Sequence, residues 1–204
     1  SINRLDSGSI KDNPPLPMQL TLSWDLFVIV FFAVVITYSF IIGKHESVKI
    51  IISTYIAIVA AQGMGNLIER LSTESQPLFS MVGLTLDIQL LATTKLILFI
   101  LTIIFLAVRG GFEIDYQKDG NTIVDIAMTA LFGFVTAGLM LSTLMTFVAD
   151  APLLDKNIAQ SPFIATIIAH SRLMELMVLY QDLWFALPAI ILLVIGFMSS
   201  QKEE

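Results

Sequence analysis

DLFVIVFFAVVITYSFIIGKHESVKIIISTYIAIVAAQGMGN, residues 25–66, is an apolar run, a short charged break and a second apolar run. Leu26 to Gly43 carries no charge, and neither does Ile50 to Ile68. A helix needs about 20 apolar residues to cross the hydrocarbon core of a bilayer. Each run is close to that length, and the break between them, Gly43 to Lys49, is basic and short. Two membrane helices joined by a tight turn are predicted. Ser23 is placed to cap the first, with Asp25 in its positive first turn.

The second run is less apolar than the first, with Ser53, Thr54, Gln62 and Asn66 inside it. Ser53, Ala57, Ala61 and Gly65 recur at four-residue steps and so share one helix face. Lipid is as apolar as leucine, so helices in bilayers associate through close backbone approach and interhelical hydrogen bonds. That face is predicted to be a packing seam.

Working outward, Ile88 to Val108 is a third run whose only charge is Lys95, and Arg109-Gly110-Gly111 ends it. Ile126 to Val148 is a fourth, charge-free, preceded by Asn121 as a cap and Asp125 near its first turn. Thr129, Gly133 and Ala137 form a second small-residue face, expected to meet the Ser53–Gly65 face or another close neighbour. After a break at Asp150, Pro152, Asp155 and Lys156, Ser161-Pro162 has the form of a cap followed by proline at the first helical position. Residues 162–181 carry His170, Arg172 and Glu175 and are expected to form an amphipathic helix at the interface. Leu183 to Met198 is the last apolar run, with Trp184 near its start and Pro188 within its first turn or two.

The predicted fold is therefore all-α: a polytopic membrane helical bundle of about five spans plus an amphipathic helix. Open strands would leave backbone groups unpaired in lipid, so helices are the only form these runs can take. The expected organisation is an N-terminal arm over 1–23, flexible or partner-binding, with polyproline character at Asn13-Pro14-Pro15-Leu16-Pro17. A four-helix membrane core over 24–148 follows. Residues 149–204 hold the amphipathic helix, the C-terminal span and a polar tail. Residues 71–87 and 112–121 are expected as connections. The chain opens with Ser rather than Met, so processing is expected, and the first run is expected to be a retained span that also directs insertion. Lys/Arg totals on the two sides are nearly even; the basic turn at 43–49 is placed in the cytoplasm and the arm outside.

Composition agrees. The chain has 204 residues, of which 56% are hydrophobic and 14% charged, against about 25% charged in soluble domains. A net charge of −6 argues against a nucleic-acid surface. With no cysteine, disulfides, thiolate metal sites and cysteine nucleophiles are excluded. No phosphate-binding glycine loop, nucleophile elbow or His-Glu-x-x-His motif occurs, and no enzyme, cofactor or metal site is expected.

Ionisable groups inside spans are costly and mark functional sites by default. Lys95 is the clear case. Its stem is expected to snorkel to the interface, or its ammonium to pair with Glu69 or Asp125; a polar path with Gln62 and Asn66 is the sharper alternative. His170, Arg172 and Glu175 form either a wet helix face or a docking surface. His45 and His170 have no histidine at helical spacing and support no metal or haem.

From Asp25 to Ala61 the chain resembles the colicin V production (CvpA) family of bacterial inner-membrane proteins. That family opens with an Asp at the start of an apolar helix, then has a glycine beside basic residues and a second helix rich in Ser, Ala and Leu. Asp25, Gly43 and the run from Val48-Lys49 to Ala60-Ala61 fall in the matching places. The family usually has arginine next to the glycine; here Ile42 precedes it and Lys44 follows. The arm 1–23 and the C-terminal segment are additional. The resemblance implies a bacterial inner-membrane address and a shared four-helix core, without a defined chemistry. Two functions are expected from the residues: a non-enzymatic structural or assembly subunit, packed in a homo-oligomer or a larger membrane complex, or a channel or transporter-like protein with a polar path at Lys95, Gln62 and Asn66. The expected partners are the lipid bilayer and other membrane proteins or copies of the chain.

Overall fold

The computed structural model describes residues 23–74, 88–109, 122–155 and 157–200. The expected arm over 1–22, most of the 71–87 connection, the 112–121 connection with its Asn121 cap, and the tail 201–204 lie outside the described residues. Those described are helical, with no strand among them. The elements are α1 (Trp24–Glu74), α2 (Ile88–Arg109), α3 (Thr122–Val148), a 3₁₀ turn (Ile158–Gln160), α4 (Pro162–Ile168), α5 (Arg172–Leu179) and α6 (Gln181–Ser200).

α1 contains both of the first two apolar runs. A straight helix of its 51 residues would be about 75 Å long. It is not straight: Gly43, at φ 83 and ψ 175, breaks it into arms 24–42 and 44–74. That backbone region is open essentially to glycine alone. Ser39 and Ser47, eight residues apart, bring their hydroxyls within 2.9 Å of each other, and Ser47 donates to the Gly43 carbonyl at 2.8 Å. In an unbroken helix they would be separated by about 12 Å of rise. The turn is thus one glycine rather than the seven-residue break expected from the charges. Lys44, Glu46 and Lys49 are helical, and Lys49 and Glu46 face each other at 3.4 Å. The arm starts where predicted, with the Ser23 hydroxyl accepting from the Leu26 amide.

Both arms run along α3 from the same end. Just past the turn, Lys44 meets Asp125; on the first arm, Ile36 and Ser39 meet Gly133, and Val28 shares a core cluster with Leu141 and Met145. On the second, Val48 and Ile51 cluster with Phe132 and Val135, then Ala57, Ile58 and Ala61 with Leu139 and Phe147. The arms therefore form a helical hairpin with α3 along its groove. α2 runs back beside the second arm: Lys95 lies on Gly65, and Phe99 packs with Ala57 and Ala61. α6 runs antiparallel to α3, with Gln181 at Thr146, Trp184 on Gly138 and Ile195 beside Phe132. Pro188 lies two turns inside α6.

α3 is the central helix. Of its apolar window 44% is buried, against 11% for α1 and for α2. Its buried Thr129, Thr136, Thr143 and Thr146 each donate to the carbonyl four residues back, so they enter the core without an orphaned hydroxyl. The outer surfaces of the helices are apolar: Val34, Ile41, Val59, Phe105, Val108 and Phe197 are all exposed.

The expected single amphipathic helix over 162–181 is instead two short helices. Ser171 stops one and caps the next, its hydroxyl accepting from the Met174 amide at 3.1 Å. α5 then meets α6 at a 66° bend. Three helices (Trp24–Leu71, Leu90–Arg109 and Ile123–Val148) are long and apolar enough to cross a membrane, or four with the bent α5–α6 pair as one span. These helices are compatible with a multi-pass membrane protein.

Candidate functional site

The buried carboxylate contacts of the bundle lie at its two ends. At the Gly43 end, Lys44 Nζ donates to Asp125 Oδ1 at 2.8 Å. At the opposite end, Lys95 Nζ donates to Asp150 Oδ1 at 2.8 Å, and Asp25 accepts from the Ser171 hydroxyl and, at 3.1 Å, from the Leu173 amide. The helix joining the two ends, from Asp125 to the close of α3, rises about 35 Å.

The Lys95–Asp150 pair is the most constrained of these features. The Lys95 side chain is 8% exposed and that of Asp150 23%. Gly65 makes the room: a Cβ there would fall 2.6 Å from two carbons of the lysine stem. Asp150 sits where α3 terminates. Its amide bonds to the Phe147 carbonyl and that of Ala151 to the Thr146 carbonyl, the paired bonds of a Schellman motif. The residue at that position turns left-handed and is usually glycine. Here it is Asp150, at φ 47. An aspartate tolerates this conformation better than most residues but still at a cost. Its carboxylate is thereby aimed at Lys95, linking the end of α3 to the second turn of α2.

Neither expected partner of Lys95 is the one observed. Asp125 lies at the far end of α3 and is taken by Lys44, so it cannot reach; the acceptor is Asp150 rather than Glu69. The lysine stem does run toward the end of the bundle, as snorkelling requires, but its ammonium meets a carboxylate there. Gln62 and Asn66 flank Gly65 on the second arm and bond to each other, Nε2 to Oδ1 at 3.1 Å. Asn66 is exposed and Gln62 half-buried.

Both small-residue faces are buried. Ser53, Ala57, Ala61 and Gly65 pack inward, as do Thr129, Gly133 and Ala137. Their glycines seat different neighbours: Gly65 seats Lys95 of α2, and Gly133 seats Ile36 and Ser39 of the first arm. A third close approach, unmarked by the four-residue steps, is tighter. A Cβ on Gly138 would lie 2.0 Å from the Trp184 ring. Phe32 and Phe134 complete an aromatic cluster around that indole, with ring centroids 6.0 and 5.6 Å away.

His170, Arg172 and Glu175 are exposed at the Asp25 end. The His170 ring bonds through Nδ1 to the Thr166 carbonyl at 2.9 Å. Among the described residues no group of three His, Cys, Asp or Glu is placed to hold a metal ion. The chain matches no protein-family model, no curated protein and no solved structure.

The sequence did not mark Asp150, the Asp25–Ser171 link or the Gly138–Trp184 contact as important. One signal for the first was present: Pro152, two residues beyond Asp150, is where prolines follow a helix C-cap. The other two join positions far apart in the chain, and no local pattern announces them.

Proposed function

We propose that the chain is a non-enzymatic integral membrane protein with five spans, acting as a structural or assembly subunit in a homo-oligomer or a larger membrane complex. The observation that carries it is the separation of charged from apolar side chains. Lys44, Asp125 and Lys49 lie at one end, Asp25, Lys95 and Asp150 at the other, about 35 Å apart along α3. Between them, large apolar side chains are exposed on all sides. A soluble protein rarely leaves such continuous apolar surface uncovered. The spacing suits a hydrocarbon core of about 30 Å. In this placement each arm of α1 is a span, α2 and α3 are two more, and α6 is the fifth, while α4 and α5 stay at headgroup level. By resemblance of its Asp25–Ala61 hairpin, the membrane is the bacterial inner membrane.

The subunit role is favoured over transport because the cation and the amide donor of the candidate path are separately engaged, leaving only Gln62 Oε1 buried without a partner there. Lys95 is packed on Gly65 and paired with Asp150, and Gln62 is bonded to Asn66. The small-residue faces are consumed inside the chain, so association between chains would use the outer apolar surfaces. Extraction in mild detergent, with the mass of the protein–detergent particle measured by light scattering, tests this. A particle holding several copies, or a co-purified membrane protein, is expected. A lone monomer with no partner would overturn the subunit assignment.

A further inference from the structure

α6 changes character at Pro188. Proline has no N–H, so the carbonyl of Trp184, four residues back, has no rung in the helix. The next rung is engaged from outside. Tyr55, on the second arm of α1, donates its hydroxyl to the Phe185 carbonyl. The Ala189 amide, which a regular helix directs at that carbonyl, faces the same hydroxyl oxygen. A proline and a side chain set into the ladder are each a general cause of helix bending, and here they fall on adjacent rungs. The anchoring of α6 changes at the same place. Before Pro188, Gln181 is bonded to Thr146 at 2.6 Å and Trp184 lies in the notch of Gly138. After it, Ala189 to Met198 are all apolar, and Ile195 is the one buried residue from 189 to 197. Phe185 packs on the cluster of Ala57 and Phe147, Ile191 and Leu192 on that of Val48 and Phe132, and Tyr55 packs on both.

We propose that α6 is a hinged helix, with its pivot at Pro188 and the Tyr55 hydroxyl as the pin that keeps it straight. The half from Gln181 to Leu187 is fixed to α3, and the half from Ala189 onward is a strap that swings on the pivot. Closed, the strap covers the cluster of Ile51, Phe132 and Val135; released, it uncovers that cluster at the Gly43 end of the bundle. The device is a property of the packing within one chain and does not depend on the subunit role.

The chain has no cysteine, so introduced pairs of cysteines carry spin labels at chosen sites. Electron–electron double resonance then reads the distances between them in the full detergent-solubilised chain. Phe105→Cys on α2 is the common reference, paired with Phe197→Cys beyond the pivot or with Leu183→Cys before it; all three positions are exposed. Tyr55→Phe removes one oxygen and keeps the ring that packs on both clusters. It is expected to raise the share of a second, longer 105–197 distance about fivefold, the weight of one ordinary hydrogen bond, and to leave the 105–183 distance unchanged. In a Pro188→Ala background, where the ladder is continuous, Tyr55→Phe is expected to add no longer component. An unaltered 105–197 distribution in Tyr55→Phe would overturn the pin. Equal lengthening with and without Pro188 would overturn the pivot, and lengthening of both label pairs, with the whole helix moving, would overturn the hinge.

Discussion

Replacing Gly43 by alanine should open the hairpin on which the other helices are packed. The cost can be isolated because no atom lies within 4 Å of where the new Cβ would sit. All of the penalty is then backbone conformation: at φ 83 and ψ 175 an L-residue is strained by about 1–3 kcal/mol. Gly63 is the matched control. It also has nothing within 4 Å of an added Cβ, but it lies in ordinary helix, where glycine to alanine gains about 0.5–1 kcal/mol. The two substitutions add the same methyl group to the same helical element and should move stability in opposite directions, with a gap of about 1.5–4 kcal/mol. Reversible unfolding of the detergent-solubilised protein by increasing fractions of sodium dodecyl sulfate, followed by tryptophan fluorescence, measures both. Equal stability of Gly43→Ala and Gly63→Ala would refute the single-glycine turn.

Other consequences follow from the packing. Lys95→Met strands the Asp150 carboxylate and should cost about 2–3 kcal/mol, a buried-pair value reduced for the partial exposure of the aspartate. Adding Asp150→Gly should restore most of it, because glycine suits the left-handed cap and no lone charge remains; an uncorrected double mutant in the same unfolding assay would argue against the pairing. Gly138→Ala drives a methyl group into the Trp184 ring and should cost about 1–3 kcal/mol, and Gly138→Ala with Trp184→Leu should be more stable than Gly138→Ala alone. Ser171→Ala removes both the α5 cap and the hydroxyl bonded to Asp25, with a loss of about 1–2 kcal/mol. Limited proteolysis should then cut between α4 and α5 first; unchanged cleavage would contradict the link between that cap and the first arm.

The apolar runs were legible because uncharged stretches near bilayer length have one viable backbone form. Ser23 caps α1 and Pro162 opens α4 as expected, while the Ser161 hydroxyl makes no capping bond. The charged break was legible in place but not in size. Lys44, Glu46 and Lys49 suggested a loop, yet Lys44 and Lys49 have carboxylates to meet, in Asp125 and Glu46, and remain helical. The small-residue faces are buried in the structure, and which neighbour each glycine seats depends on the path of the other helices. Lys95 stood out as costly, while its partner did not: the choice among Glu69, Asp125 and Asp150 depends on which ends of α2 and α3 lie together, a matter of topology. The split of 162–181 was missed because its apolar content is continuous, and only the hydroxyl of Ser171 distinguishes a cap from another helical residue.

The central claim is that one polar end of the bundle lies on each side of a bilayer. The chain has no cysteine, so single cysteines can be introduced cleanly at His170 and at Glu46, exposed at opposite ends, and at Val34, exposed on the apolar surface between them. Labelling by a membrane-impermeant maleimide, applied to oriented membranes from one side and then after permeabilisation, is the direct measurement. Cysteines at 46 and 170 are expected to react from opposite sides and the one at 34 from neither. Reaction of 46 and 170 from the same side, or ready labelling of 34, would contradict the account.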